Sequence, residues 1–395
     1  DGMLERTRVM VLVTAVLLLC GGLLACGPAA SDDEALASVE GAVVYGVDNR
    51  IDVYAYPVAA WRDRALQSEV ALVSTSRLDM SNPANVRVAA STLAASQKLC
   101  AGENFATQPV AAFCSGTLID DDLVLTAGHC VTKAKECAAT SLVFHWAMAS
   151  STQTMPITSA DVFKCAKIVA RVETATVDYA ILKLDRPATP RFVPAPVRLD
   201  PVPVQALQSL VLMGNGSGLP TKIDDGGTVR DPRAATLDYF VGNPDTFGGN
   251  SGSGVYLADT GEVVGILVRG ETDYVLDQAM GCYRVNVCDT NGCGGEDSTY
   301  AFRAVQALCN VAPSPRLCPP VCGNGTCEVG ESNATCAQDC SAVPAGWTCS
   351  PMSYGSGDGC HCNCGVADPD CLEAPKPAIN CRKNQYCAAN GTCAR

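Results

Sequence analysis

Basic residues are scarce in this chain. Lys and Arg number 28 against 41 Asp and Glu, and the net charge is −13. Nucleic-acid binding needs a basic surface, so that class is excluded. Segments with sustained helical periodicity are also few, while Gly and Pro reach 35 and 23. Many turns and little helix point to an all-β domain with loop-rich material. No internal repeat is evident. The apolar run from Val9 to Ala25 falls short of the about 20 residues a spanning helix needs. Histidine numbers only three, which leaves few candidates for an imidazole base.

Cysteine, by contrast, is abundant. There are 24, and the stretch from Cys322 to Cys393 is the densest. Such a density fits a disulfide-stapled module outside the reducing cytosol. Arg6 and Arg8 before an apolar centre and a small residue read as a secretory signal over residues 1–26. The string Leu23-Leu24-Ala25-Cys26-Gly27 resembles a bacterial lipobox, which implies lipidation of Cys26 and a membrane contact through that lipid alone. An ordinary cleaved signal peptide is the alternative. Removing Cys20 and lipidating Cys26 leaves an even number on each side of residue 320, so each part can pair within itself. Residues 27–40 are small, polar and acidic, and read as a linker.

From Gly41 the texture changes. VVYGVDNRIDVYAYP reads as strand, turn, strand. Residues 62–84 read as a short helix or surface loop. Strand-like runs follow at Phe113–Leu118, Leu123–Ala127, Leu142–Trp146, Tyr179–Leu184, Leu210–Met213, Gly254–Leu257 and Val263–Val268. Turn-rich spacers separate them, which argues for a barrel or sandwich rather than a parallel sheet. Thr299–Asn310 reads as a closing helix with Tyr300, Val305 and Leu308 on one face. Prolines in VAPSPRLCPPV mark a boundary, giving one domain over 41–312 and a cysteine-rich module over 313–395. The module's strings resemble small cysteine-rich modules on exported proteins of myxobacteria and relatives. Cys360, His361, Cys362 and Cys364 have the chemistry of metal ligands, but disulfides are the favoured reading. Asp358, Asp368 and Asp370 lack EF-hand spacing. No metal and no cofactor is expected.

Three strings carry chemistry. In the first, Phe113-Cys114-Ser115-Gly116 precedes Thr126-Ala127-Gly128-His129-Cys130. A disulfide between Cys114 and Cys130 would pin the loop that carries His129, and a general base needs such a mount. In the second, Asp178 opens the apolar run DYAILKL, where it can accept from an imidazole N–H. Asp161 and Asp185 are rivals, yet neither opens such a strand. In the third, Gly248-Gly249-Asn250-Ser251-Gly252 flanks a serine with glycines. These permit a tight turn and leave the N–H groups of Gly249 and Ser251 to face an oxyanion.

TAGHC, the D-x-A-x-L-x-L pattern and GNSGSG, in the order His, Asp, Ser, resemble the trypsin and chymotrypsin family of serine peptidases over residues 41–312. The resemblance implies two six-stranded antiparallel barrels with His129, Asp178 and Ser251 in the cleft between them. It implies endopeptidase activity on protein or peptide substrates. A binding protein on an inactive scaffold, with the tail as recognition module, is the alternative from another class.

The pattern also departs from the family. Asn250 stands where animal members carry the Asp that pairs with a newly cut N-terminal amine, so no such ion pair is expected to switch activity. The GNSGS form and VVYGVDNRIDVYAY are similar to the bacterial glutamyl endopeptidase branch. For specificity, the resemblance points to Asp245 as a pocket acid, to Thr246 as a substrate contact, and to Arg269 and Gly270 as cleft-lining. Leu267 and Val268 replace the histidine and serine found there in relatives.

Overall fold

Short β-branched runs bounded by glycine and proline become antiparallel strands here. The computed structural model describes residues 43–320 and, beyond them, 322, 336, 344, 346–350, 353–354, 359–372, 378–382, 385–388 and 391–394. The signal segment 1–26 with Cys26, the linker 27–40 and Asp358 lie outside the described residues. The strands used below are β1 (Ile51–Asp52), β2 (Glu69–Ser74), β3 (Ala112–Leu118), β4 (Leu123–Thr126), β5 (Thr140–Val143), β6 (Val162–Glu173) and β7 (Asp178–Leu184). They continue with β8 (Leu210–Gly214), β9 (Lys222–Asp224), β10 (Val229–Asp231), β11 (Tyr239–Gly242), β12 (Gly254–Leu257), β13 (Val263–Arg269) and β14 (Glu296–Tyr300).

Strands β2 to β7 close a barrel in the order β5-β6-β7-β4-β3-β2. The second sheet runs β10-β11-β14-β13-β12-β8-β9-β1 and stays open. The expectation of two six-stranded barrels is therefore met once. One end of the second sheet lies beyond β9. The free edge of β9 is taken by β1, with Ile223 opposite Ile51 and Lys222 opposite Asp52. β10, at the other end of the order, meets only the entry to β8: the N–H of Val229 donates to Gln208 at 3.0 Å, that of Leu207 to Val229 at 2.8 Å and that of Leu210 to Gly227 at 2.9 Å. Side chains add to this contact: Asp224 accepts the N–H of Gly226 at 2.9 Å and Asn243 that of Thr228 at 2.7 Å.

Two expectations for local structure change. Residues 62–84 cover most of the helix Ala59–Ser68 and then β2, whose sequence EVALVS is buried almost throughout. The longest strand, β6, has no clean alternation in its sequence. Register shifts between Cys165 and Lys167 and between Ile168 and Ala170 explain this, because each bulge resets which side faces in. The closing helix forms over Ala301–Val311.

The barrel interior packs Leu72, Leu118, Leu142, Phe144, Phe163 and Leu182. A second core joins the barrel to the sheet and helix through Leu125, Ile181, Met213, Tyr256, Ile266, Leu308 and Leu317. Leu317 lies beyond the expected boundary at 312. Cys318 bonds to Cys309, and Arg316 pairs with Asp120 and Asp121 at 3.0 and 3.2 Å. Packing of the main domain thus runs on to residue 318.

Cysteines do pair within each part. Cys100–Cys282, Cys114–Cys130, Cys137–Cys165, Cys288–Cys293 and Cys309–Cys318 staple the main domain. In the tail, Cys360 bonds to Cys371, Cys362 to Cys387 and Cys364 to Cys349. Those three sulfurs are not thiolates, so the metal reading at Cys360–Cys364 loses its ligands. Asp368 accepts the backbone N–H groups of His361 and Asp370 at 2.9 and 3.2 Å. Among the described residues no helix is long and apolar enough to cross a membrane.

Candidate active site

The histidine seat follows from strand register. β7 pairs with β4 so that Ala180 faces Thr126. Continued by two residues, the ladder sets Asp178 against Gly128. Asp178 Oδ1 accepts the N–H groups of Gly128 and His129 at 2.5 and 3.2 Å, and Oδ2 lies 2.6 Å from His129 Nδ1. A Cβ on Gly128 would lie 2.2 Å from the Val172 carbonyl, so only glycine lets the loop approach this closely. The N–H of Asp178 donates to Thr299 Oγ1 in β14 at 3.1 Å. Asp178 is buried at 4 % exposure. An ionised carboxylate only accepts, so His129 Nδ1 carries hydrogen and Nε2 presents its lone pair. Among the described residues Nε2 is buried with no hydrogen-bond partner. Asp161 and Asp185 are engaged elsewhere, with Arg191 and Arg186 respectively.

Ser251 stands on the loop before β12. Its carbonyl accepts the N–H of Ser115 at 2.9 Å and lies 3.6 Å from Cys130 Sγ. The Ser251 segment is thereby tied to the strand and the disulfide that mount His129. Two turns shape the loop: the N–H of Asn250 donates to Phe247 and that of Ser253 to Asn250, both at 2.8 Å. Ser115 Oγ donates to the Gly249 carbonyl at 2.8 Å. Gly249 has φ +100°, and a Cβ there would meet the Asn215 carbonyl at 2.8 Å. Among the described residues the N–H groups of Gly249 and Ser251 donate to no acceptor, as an oxyanion site requires.

The expected substrate residues separate into two groups. Thr246 Oγ1 donates to Glu296 Oε2 at 2.5 Å, and Gly270 packs so tightly that a Cβ would fall 2.0 Å from the same oxygen. Asp245 does not face a cleft. It is 1 % exposed, and its two oxygens accept the N–H groups of Tyr45 and Asn49, each at 2.7 Å. Spacing from Ser251 suggested a pocket acid, but burial and two backbone donors make Asp245 an anchor for the N-terminal segment. Arg269 likewise turns to Asp297, at 3.2 Å. Glu296 has no recognisable motif around it and was not anticipated. It also accepts from Tyr45 Oη at 3.1 Å, and burial pushes its carboxyl up to about 8. Thr299 and Ser115 are further supports whose roles only tertiary contacts reveal.

Residues 114–266 match the trypsin-like peptidase domain. That span contains His129, Asp178 and Ser251, and the match supports a hydrolase of the serine peptidase type. No curated protein matches the chain. Among solved structures, a Glu endopeptidase in complex with MPD is 17% identical, over 69% of this chain and 99% of its own, with a TM-score of 0.41. The Vibrio cholerae VesB protease is 16% identical, over 67% of this chain and 68% of its own, with a TM-score of 0.39.

Proposed function

We propose that the chain is an exported serine endopeptidase working through an acyl-enzyme. The observation that carries this reading is the His129–Asp178 pair, 2.6 Å apart, with Nε2 lacking a partner among the described residues and the Ser251 carbonyl 3.6 Å from Sγ of the adjoining Cys130. Ser251 Oγ attacks the scissile carbonyl while Nε2 takes its proton. Asp178 holds the ring and stabilises the imidazolium. The N–H groups of Gly249 and Ser251 receive the negative charge of the tetrahedral intermediate. Its collapse breaks the C–N bond, and the imidazolium returns the proton to the leaving amine. Water then repeats the sequence on the ester, with His129 as base again, and frees the acid. The disulfides fit an oxidising compartment, and the sequence of residues 1–26 supplies the route, with Cys26 as the proposed lipid attachment. Incubating the protein and its Ser251→Ala variant with a peptide library tests the reading. Cleavage by the parent alone is expected, and equal cleavage by both would sink the assignment.

A further inference from the structure

Beneath the nucleophile loop lies a buried cation that the reaction steps above do not use. Arg50 is 7 % exposed. Its Nε and Nη2 donate to the two oxygens of Asp48, both at 2.8 Å. Its guanidinium carbon sits 3.8 Å from the centre of the Phe247 ring and 5.1 Å from that of Phe105. Phe247 is the first residue of the stretch that ends in Ser251, and its carbonyl accepts the N–H of Asn250. Neighbouring backbone is pinned to the same loop, since Tyr45 and Asn49 donate to Asp245 at 2.7 Å each. Arg50 further lines a small enclosed cavity with Lys222, Asp224, Asp245 and Asn250.

We infer that Arg50 is the internal cation that holds the oxyanion loop in its working shape, acting as a positioning residue through the Phe247 ring. The inference rests on the peptidase reading. A guanidinium stays charged at any working pH, is planar, and stacks on an aromatic face. Once desolvated and paired with Asp48, it has one arrangement available, and the ring stacked on it has little freedom. The loop is thereby shaped at its Phe247 end. At the other end Asn250 is neutral, and its side-chain oxygen accepts only from Ser253 Oγ, at 3.4 Å, among the described residues. A cation built into the folded chain does the work, so the shape does not wait for a new N-terminal amine.

The test begins with a fluorophosphonate probe on the parent and on Ser251→Ala. Labelling of neither would overturn the peptidase reading itself. With the parent labelled, kcat and KM are measured per titrated site for Arg50→Met, Arg50→Lys and Phe247→Leu. Arg50→Met is expected to lower kcat about 10²-fold, as loss of oxyanion stabilisation does, with KM changed less than about twofold. Arg50→Lys recovers part of that loss, because it restores charge without the planar face. Phe247→Leu keeps the Arg50–Asp48 pair and is expected to lower kcat about tenfold. A folded Arg50→Met with the parent's kcat overturns the inference. Where Arg50→Met does not fold, Phe247→Leu decides, and an unchanged kcat for it has the same force.

Discussion

The barrel that seats His129 and the sheet that seats Ser251 bury different material. Inside the barrel are Leu72, Leu118, Phe144, Phe163 and other apolar side chains, packed within a sheet that has no free edge. The second sheet has an apolar core too, with Leu210, Phe240, Val255 and Leu267, but it and its adjoining segment also bury Arg50, Asp52, Lys222, Asp224, Asp245 and Glu296, all below 9 % exposure. A closed ladder is held by backbone pairing at every strand and tolerates side-chain change. A buried ionic network is held by the partners themselves, and desolvation makes each one costly to strand. His129 and Asp178 therefore rest on a closed ladder and a disulfide, whereas the Ser251 loop adds side-chain supports, Ser115 Oγ and the Arg50–Phe247 stack, to its own backbone turns.

The largest expected effects fall on the residues proposed to react, whichever region holds them. Ser251→Ala should reduce kcat on the order of 10⁶-fold, leaving only what binding and the oxyanion site supply. Asp178→Asn should cost about 10⁴-fold, because an amide donating to Nδ1 fixes the wrong tautomer. Both proteins should unfold in urea at midpoints close to the parent's, since β7 and β4 keep their ladder. An Asp178→Asn enzyme within tenfold of the parent would mean that Asp178 does not orient His129.

The next effect separates the two regions directly. Lys222 Nζ reaches Asp52 Oδ1 and Gln108 Oε1, each at 2.7 Å, at 4 % exposure. Lys222→Met strands the Asp52 carboxylate and should cost about 3–5 kcal/mol in urea unfolding. Adding Asp52→Leu removes the stranded charge and should recover most of that loss. A double variant no more stable than the single one would show that charge burial is not what distinguishes the sheet.

Legibility in the sequence followed the same division. The histidine string, its disulfide partner Cys114 and the aspartate at the mouth of β7 are local patterns, and each stands where its residues suggested. β12 spans Gly254–Leu257 as read from its apolar run. What escaped is non-local. The bulges of β6 erase its period, and β1 filling the edge of β9 depends on a pairing between residues far apart in the chain. Asp245 was misplaced because spacing from Ser251 fixes distance along the chain but not the direction a loop carboxylate faces. Glu296 and Arg50 act through partners more than 45 residues away, Thr246 and Phe247, which no short motif encodes.

The smallest expected effect sits where the two regions meet. Glu69 in β2 accepts from Thr117 of the barrel at 3.2 Å and from the Tyr256 hydroxyl of the sheet. Burial pushes its carboxyl up to about 8 from an ordinary value of 4.5. In the unfolded chain Glu69 ionises near that ordinary value, while the folded protein keeps the proton until about pH 8. Its contribution is therefore most favourable at low pH and declines as pH rises between those two values. Glu69→Gln keeps an acceptor for both hydroxyls and has no proton to lose. It should match the parent near pH 4.5 and exceed it at pH 8, by on the order of 2–4 kcal/mol in urea unfolding. Burial raises Asp224, Asp245 and Glu296 as well, to about 7, 6 and 8, but these titrate in both proteins and cancel in the difference. Parallel stability profiles for parent and variant would show that Glu69 is already ionised at the junction, held there by the two hydroxyls rather than kept neutral by burial.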